Sequence, residues 1–78
     1  MKLIVLNLPR DLTEGDLAEL FRVHGDIAAC NLVLDDRTGA SKGFGFVETV
    51  SDDTAEAAIA VLHGSVLNNQ KIRVKPAE

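Results

Sequence analysis

The stretch Lys42-Gly43-Phe44-Gly45-Phe46-Val47-Glu48-Thr49 decides how this chain folds, because its alternation assigns each side chain to one face of a strand. Successive side chains of a β-strand point to opposite faces, so both phenylalanines share a face with Lys42 and Glu48. Burying a charged side chain is costly, and this face is therefore predicted to be open to solvent. The other four residues are predicted to point to the core, where the two glycines let a helix approach the sheet closely.

Short apolar runs on both sides of this stretch predict three further strands. Strands are expected over residues 3–6, 27–34, 42–50 and 71–75. Asn68-Asn69 is expected to form the turn before the last strand, since asparagine tolerates left-handed backbone geometry.

Two stretches with apolar residues at helical spacing predict helices between these strands. Thr13 is expected to cap the first helix in the manner of a capping box, and Gly25 to end it. Ser51 or Asp52 is expected to cap the second helix, which Gly64 ends.

The resulting order is strand, helix, strand, strand, helix, strand. It is the order of the α+β ferredoxin-like βαββαβ sandwich, a four-stranded antiparallel sheet with two helices on one face. The first and third strands are central in this topology, and the other face of the sheet stays open. Because the chain has 78 residues, we expect one domain, residues 1–78. Hydrophobic residues make up 46% and charged residues 26%, a globular balance that excludes disorder.

The same alternation assigns side chains of the other strands to the open face. This face is expected to carry an apolar patch, a ring of cations and one amide: Ile4, Leu6, Val33, Phe44 and Phe46, with Lys2, Lys42, Lys71, Arg73 and Lys75, and Asn31. Five of the eight cations are thus expected there, with Glu48 as the one acid, so the net charge of −4 belongs mainly to the back. An aromatic patch on a basic sheet suits a single nucleic-acid strand, whose bases stack on the rings while cations hold the phosphates.

The sequence gives little support to other classes of function. One cysteine, Cys30, cannot form a disulfide within the chain, and with His24 and His63 it does not suggest a metal site. Both histidines lie at predicted helix ends, where they suit the helix dipole. We see no nucleophile–base pair and no phosphate-binding loop, so we expect no catalytic residues and no cofactor. No apolar run reaches the ~20 residues of a membrane helix, and we expect a monomer inside the cell, in the cytoplasm or in a eukaryotic nucleus.

Residues 42–49 resemble the RNP octamer of the RNA recognition motif, K/R-G-F/Y-G/A-F-V-x-F/Y, and agree at seven of its eight positions. Thr49 departs from the pattern at the last position, which faces the core. The stretch Leu3-Ile4-Val5-Leu6-Asn7-Leu8 is similar to the partner hexamer in the first strand. The spacings between and after these motifs also fit, so the resemblance covers nearly the whole chain.

The resemblance implies that the open face of the sheet binds single-stranded RNA, and single-stranded DNA is a second ligand compatible with it. Phe44 and Phe46 stand where the family stacks bases or packs sugars, and Lys42 stands where it pairs with phosphate. Ile4 departs from the family, which usually has a third aromatic platform there, so one base is expected to be held less tightly. The expected RNA-binding residues are Lys2, Ile4, Asn31, Lys42, Phe44, Phe46, Lys71, Arg73 and Lys75.

A different class of function also fits part of the pattern. The acidic net charge and the missing platform are compatible with a protein-interaction module on the same fold, with weak or no RNA binding. A ferredoxin-like metal carrier is disfavoured because it needs a pair of cysteines. An acyl-phosphate hydrolase is disfavoured because Asn7-Leu8-Pro9-Arg10 has no glycine to cradle a phosphate.

Overall fold

Six strands and two helices make up the structure, a computed structural model that describes residues 1–77. The strands are β1 (Lys2–Leu6), β2 (Ile27–Leu34), β3 (Ser41–Thr49), β4 (Val66–Leu67), β5 (Gln70–Lys71) and β6 (Arg73–Pro76), and the helices are α1 (Glu14–Arg22) and α2 (Asp52–Leu62). One antiparallel sheet contains β2, β3, β1 and β6 in that spatial order. The predicted ferredoxin-like topology, with the first and third strands in the centre, is confirmed.

Both helices start where the sequence predicts. Thr13 caps α1 through a complete capping box. Its Oγ1 accepts a hydrogen bond from the Asp16 N–H at 3.1 Å, and the Asp16 carboxylate accepts one from the Thr13 N–H at 3.2 Å. Ser51 caps α2, where its Oγ accepts from the Thr54 N–H at 3.2 Å. These bonds satisfy N–H groups that have no partner inside the helix, so they fix where each helix begins.

The core lies between the two helices and one face of the sheet. Leu3, Val5 and Val47 are fully buried on that face. They form one cluster with the apolar sides of both helices, including Leu17, Phe21, Ala55, Ala58 and Leu62. Full burial of one leucine or phenylalanine contributes about 1.5–3 kcal/mol to folding. The helices therefore cover the face opposite the two strand phenylalanines, as the alternation predicts.

The end of the chain differs from the predicted single strand over residues 71–75. β4 and β5 form a separate two-stranded hairpin, with Asn68 and Asn69 as its turn at φ of 47° and 68°. Both asparagines thus adopt the left-handed geometry that a two-residue hairpin turn requires. The last strand, β6, starts only at Arg73, so Lys71 belongs to the hairpin. Strands of two residues are too short for a periodic sequence pattern.

Other element ends also shift by a few residues. α1 ends at Arg22, before the predicted end at Gly25. Gly25 instead adopts φ of 147° in the turn that leads to β2, and a Cβ there would lie 2.3 Å from Oγ1 of Thr54. This glycine is therefore needed for the close passage of the turn against α2. The third strand covers Ser41–Thr49 where residues 42–50 were predicted.

Candidate nucleic-acid interface

Two aromatic rings form the centre of the open face. Phe44 and Phe46 lie two residues apart on β3 and are both half-buried. Their ring centroids are 6.3 Å apart, and the ring planes meet at 82° in an edge-to-face contact. Such a contact fixes each ring against its neighbour. The outer surface of each ring remains available for a base or a sugar.

Gly45, between the two phenylalanines, lets β3 lie close to β2 and to α1. A Cβ at this position would lie 2.8 Å from the carbonyl oxygen of Asn31 and 3.0 Å from Cδ2 of Leu17. Non-bonded carbon and oxygen atoms do not approach so closely without strain, so β2 and α1 require a residue without a side chain here. The predicted role of Gly45 in close helix–sheet contact is confirmed.

Gly43 has a different role from the predicted one. Its φ of 86° lies in the left-handed region, and the register between β2 and β3 shifts near this point. A Cβ here would lie 3.1 Å from Nε of Arg10 and 3.4 Å from the carbonyl oxygen of Leu8. No helix atom is among these neighbours, so the prediction that Gly43 lets a helix approach is wrong. The glycine allows the start of β3 to bend in a bulge and leaves space for the Arg10 side chain.

Ile4 lies on the other central strand, directly opposite Phe46. The same row continues to the exposed Lys75 on β6 and to the exposed Asn31 on β2. Arg73 is exposed two residues before Lys75 on the edge strand. Isoleucine offers apolar contact but no π-face, so this row has one ring for stacking where an aromatic residue 4 would give two.

The cations around the rings have no carboxylate partner in the part of the chain that the structure describes. Within residues 1–77, carboxylates form ion pairs with the N-terminal amino group and with Arg22 alone. Four exposed cations on or beside the open face are therefore available to an anion: Lys2, Lys42, Arg73 and Lys75. Nζ of Lys2 lies 5.0 Å from the ring centroid of Phe46. An exposed cation–π contact gives about 0.5–1 kcal/mol, which is less than the about 1–3 kcal/mol of a stacked base.

Lys71 does not belong to this ring of cations. It lies on β5 of the hairpin, outside the main sheet. Its carbonyl oxygen accepts a hydrogen bond from Nδ2 of Asn7 at 2.9 Å, and its Cε lies 3.5 Å from the position of a Cβ on Gly64. The prediction that Lys71 lies on the open sheet is wrong, because Lys71 pairs with Val66 in the hairpin and not with a strand of the four-stranded sheet.

Arg10 adjoins the aromatic patch, although the predicted set of binding residues does not include it. It lies in the loop after β1, and its Nη1 donates a hydrogen bond to the carbonyl oxygen of Ser41 at 3.4 Å. Together with Lys42 it lines a hollow of about 350 Å³ beside Phe44. The order of the strands could have predicted the place of Arg10. β1 and β3 are antiparallel neighbours, so the loop that follows β1 passes the start of β3.

Cys30 lies on the edge strand β2 and has surroundings that do not favour reaction. Its Sγ donates a weak hydrogen bond to the carbonyl oxygen of Glu14 at 3.8 Å. Burial raises the pKa of the Cys30 thiol, and the carboxylate of Glu14 raises it further. A thiol with a raised pKa stays protonated at neutral pH, which makes it a poor nucleophile and metal ligand. Among residues 1–77, no three potential metal-ligating side chains come together, and neither helix is long and apolar enough to cross a membrane.

Sequence comparison places this arrangement in a known family. A family profile described as "RNA recognition motif" matches residues 3–73, from β1 to the first residue of β6. The chain therefore belongs to the RNA recognition motif family. The two motifs that resembled this family from the sequence lie side by side on the central strands β1 and β3.

The chain matches only part of the length of individual relatives. The chain is 40% identical over 77 residues to the 28 kDa ribonucleoprotein, chloroplastic, of Spinacia oleracea, which is 99% of this chain and 33% of that protein. It is 40% identical over 75 residues to the protein sex-lethal of Drosophila melanogaster, which is 96% of this chain and 21% of that protein. The chain thus spans a third or less of these curated relatives.

Solved structures show the same fold at high similarity. A sex-lethal protein–RNA complex superposes with a TM-score of 0.94 at 39% identity, over 99% of this chain and 46% of that chain. The crystal structure of RNA Binding Protein PG1 gives a TM-score of 0.94 at 35% identity, over 99% of this chain and 93% of that chain.

Proposed function

We propose that this chain binds single-stranded RNA on the open face of its sheet. The observation that carries the proposal is the pair of half-buried rings on β3, which project from a central strand among cations that have no carboxylate partner within residues 1–77. Rings that offer a π-face bind any base, and free cations bind the phosphates between the bases. The sex-lethal relative has been solved in complex with RNA, which supports RNA as the strand.

The proposed contacts divide into three chemical kinds. Phe44 and Phe46 stack on bases or pack on sugars, and Ile4 adds apolar contact in the same row. Asn31 places an amide beside Phe46, where it can donate to and accept from a base edge. The proposed phosphate ligands on and around the sheet are Lys2, Lys42, Arg73 and Lys75.

We further infer a binding module and not an enzyme. The chain acts in this proposal as one RNA recognition motif domain, residues 1–78, inside a cell and in a compartment that contains RNA. The relative from Spinacia oleracea is described as chloroplastic and as a ribonucleoprotein, which supports an intracellular RNA partner. The location predicted from the sequence, in the cytoplasm or in a eukaryotic nucleus, stays a prediction.

The proposal is tested by titrating a fluorescently labelled single-stranded RNA of mixed sequence with the chain and reading its anisotropy. Phe44→Ala and Phe46→Ala are each expected to weaken binding by about 1–3 kcal/mol, the contribution of one stacking contact. Val23→Ala is the matched control, because this apolar side chain is 81% exposed on the helical side. It should change the affinity by less than about 0.5 kcal/mol.

Two outcomes would count against the proposal. No measurable RNA binding at low salt would favour the protein-interaction module, because that function does not need the rings to meet bases. Loss of binding in the Val23→Ala control, equal to that in the phenylalanine variants, would place the binding site outside the open face. A parallel titration with single-stranded DNA of the same sequence tests whether the 2′-hydroxyl contributes, since this group distinguishes the two strands.

A further inference from the structure

We propose that Arg10 is a further phosphate ligand, which acts from the hollow beside Phe44 and joins the phosphate ligand Lys42 of the proposed function in one subsite for a phosphodiester group. The subsite rests on the proposed function and extends it beyond the sheet. The hollow has a volume of about 350 Å³ and lies between the loop after β1, the start of β3 and the β4–β5 hairpin. Leu6 and Phe44 form its wall toward the open face, so a strand that crosses the rings reaches it directly.

The charge of the hollow is positive. Arg10 and Lys42 line it, and no carboxylate does. Within residues 1–77, neither of these cations forms an ion pair. Asp11 and Glu14 line a separate hollow that Arg10 also borders. Arg10 therefore separates a cationic hollow on the RNA side from an acidic one on the helix side.

Arg10 is held in a position to bind an anion. Its Nη1 donates to the carbonyl oxygen of Ser41 at 3.4 Å, and its Nε lies 3.1 Å from the position that a Cβ on Gly43 would take. The missing side chain of Gly43 thus makes room for the guanidinium group. A guanidinium has five N–H donors in a planar fork, so most of them remain available to phosphate oxygens.

Hydrogen bonds brace the loop that carries Arg10. Nε2 of Gln70 on the hairpin donates to the carbonyl oxygens of Asn7 and Leu8, each at 3.2 Å. Nδ2 of Asn7 donates back to the carbonyl oxygen of Lys71, and the Leu8 N–H donates to that of Gly43 at 2.7 Å. The hollow is therefore formed before the strand arrives, so little ordering entropy opposes binding. This bracing also gives the hairpin a role in the interface.

The test compares Arg10→Ala with Arg37→Ala in RNA titrations at several salt concentrations. Both variants remove one exposed arginine, but Arg37 lies in the turn between β2 and β3 and does not line the hollow. Losing one phosphate contact should flatten the slope of log affinity against log salt by about 0.7. The affinity lost by Arg10→Ala should therefore be about fivefold greater at 0.1 M salt than at 1 M salt. Arg37→Ala should leave the slope unchanged and alter the affinity less than about twofold.

Two further variants keep the test sharp. Arg10→Lys keeps the charge and should preserve the slope, whereas Arg10→Gln keeps much of the length but should flatten the slope as Arg10→Ala does. Circular dichroism shows that each variant is folded before it is titrated, and Arg10→Gln replaces Arg10→Ala if the latter unfolds.

The outcomes separate this subsite from the proposed function. If Phe44→Ala weakens RNA binding and Arg10→Ala behaves as Arg37→Ala does, the subsite is wrong and the RNA site stands. If the unaltered chain binds no RNA, both are wrong. Inorganic phosphate at constant ionic strength is the third probe. Should it move the Gly43 amide resonance as strongly as RNA does, the hollow is a site for free phosphate and the proposal is overturned.

Discussion

At the residue scale, the number of bases that the open face can stack depends on the side chains in the row that contains Ile4 and Phe46. Phe46 gives this row a π-face, and Ile4 beside it gives apolar surface without one. The alternation of β3 predicts the position of Phe46, because Lys42 and Glu48 exclude burial of the face that they share with the rings. The alternation of β1 predicts that of Ile4, which shares a face with Lys2. The half-burial of the rings agrees with that reasoning, since each ring packs against its neighbour while one side stays accessible.

Replacing Ile4 by tyrosine is expected to strengthen RNA binding by about 1 kcal/mol, because a second ring would stack on the base next to the one on Phe46. The gain lies at the low end for stacking since isoleucine already contributes apolar contact. The measurement is the anisotropy titration with single-stranded RNA. Val50→Tyr serves as the control, because Val50 is 66% exposed and lies outside the row. An unchanged affinity for Ile4→Tyr would show that the strand does not cross this position.

The sequence predicts the structural role of Gly45 in β3 but not that of Gly43. Alternation places both toward the core, where both are buried, and Gly45 lies against Leu17 of α1 as predicted. Gly43 lies instead at a bulge with φ of 86°. The bulge is a shift in how β3 pairs with β2 and leaves the alternation of β3 intact, so counting along one strand cannot locate it.

Gly45→Ala is expected to destabilise the fold by about 1–3 kcal/mol, as overpacking does in a filled core. The added Cβ would meet the carbonyl oxygen of Asn31 at 2.8 Å, and a backbone atom in a paired strand has little freedom to move. Gly15→Ala in α1 is the control, with 3.8 Å to its nearest neighbour. It should stabilise the chain by about 0.5–1 kcal/mol. Urea denaturation measures both, and equal unfolding free energies would contradict the close-contact argument.

At the element scale, the edge strand β6 is protected along its outer side. Nδ1 of His63 accepts a hydrogen bond from the Val74 N–H at 3.0 Å. The Ile72 N–H donates to the carbonyl oxygen of Ser65 at 2.9 Å, and Pro76 has no N–H. An edge without free donors resists pairing with another chain. The sequence predicts His63 only as a residue near a helix end, since its partner lies eleven residues away in a strand.

His63→Ala is expected to lower the free energy of unfolding by about 1–3 kcal/mol, because the Val74 N–H is left buried without a partner. Hydrogen exchange at the Val74 amide should become faster than in the unaltered chain. His24→Ala is the control, since the histidine at the end of α1 has no such bond to the sheet. Unchanged exchange at Val74 would mean that this hydrogen bond does not hold the edge strand.

The long elements were predictable and the short ones were not. Periodic apolar patterns mark both helices and the strands β1, β2 and β3, and the helices also have clear N-caps. Each of these elements is found within a few residues of its predicted place. The β4–β5 hairpin has strands of two residues, which leave only the asparagine turn as a signal. Merging the hairpin with β6 is also what assigned Lys71 to the main sheet.

At the scale of the whole molecule, the charges divide between the two sides. α1 and α2 carry six acids and one arginine, whereas the exposed cations of the main sheet lie on or beside its open face. The net charge of −4 therefore opposes the approach of RNA from a distance without occupying the site. Composition alone argues against an RNA partner, whereas the placement of the charges along the elements leaves a cationic open face that suits one.

Charge separation predicts different effects on affinity and on association rate. With about three to five phosphates neutralised, log affinity should fall with log salt at a slope of about −2 to −3.5. Glu56→Gln on α2 should raise the association rate and leave that slope nearly unchanged, because Glu56 repels the strand but touches no phosphate. Lys42→Ala should flatten the slope by about 0.7. Stopped-flow fluorescence and equilibrium titration measure the two quantities, and detectable binding without salt dependence would contradict the basic-sheet account.

Amide chemical-shift perturbation during titration with short single-stranded RNA of mixed sequence tests the central claim most directly. If the open face of the sheet binds RNA, the resonances that move should cluster on β1, β3 and β6 and on Asn31, while those on the outer sides of α1 and α2 stay in place. Shifts confined to the helices, or no shifts at low salt, would contradict the account.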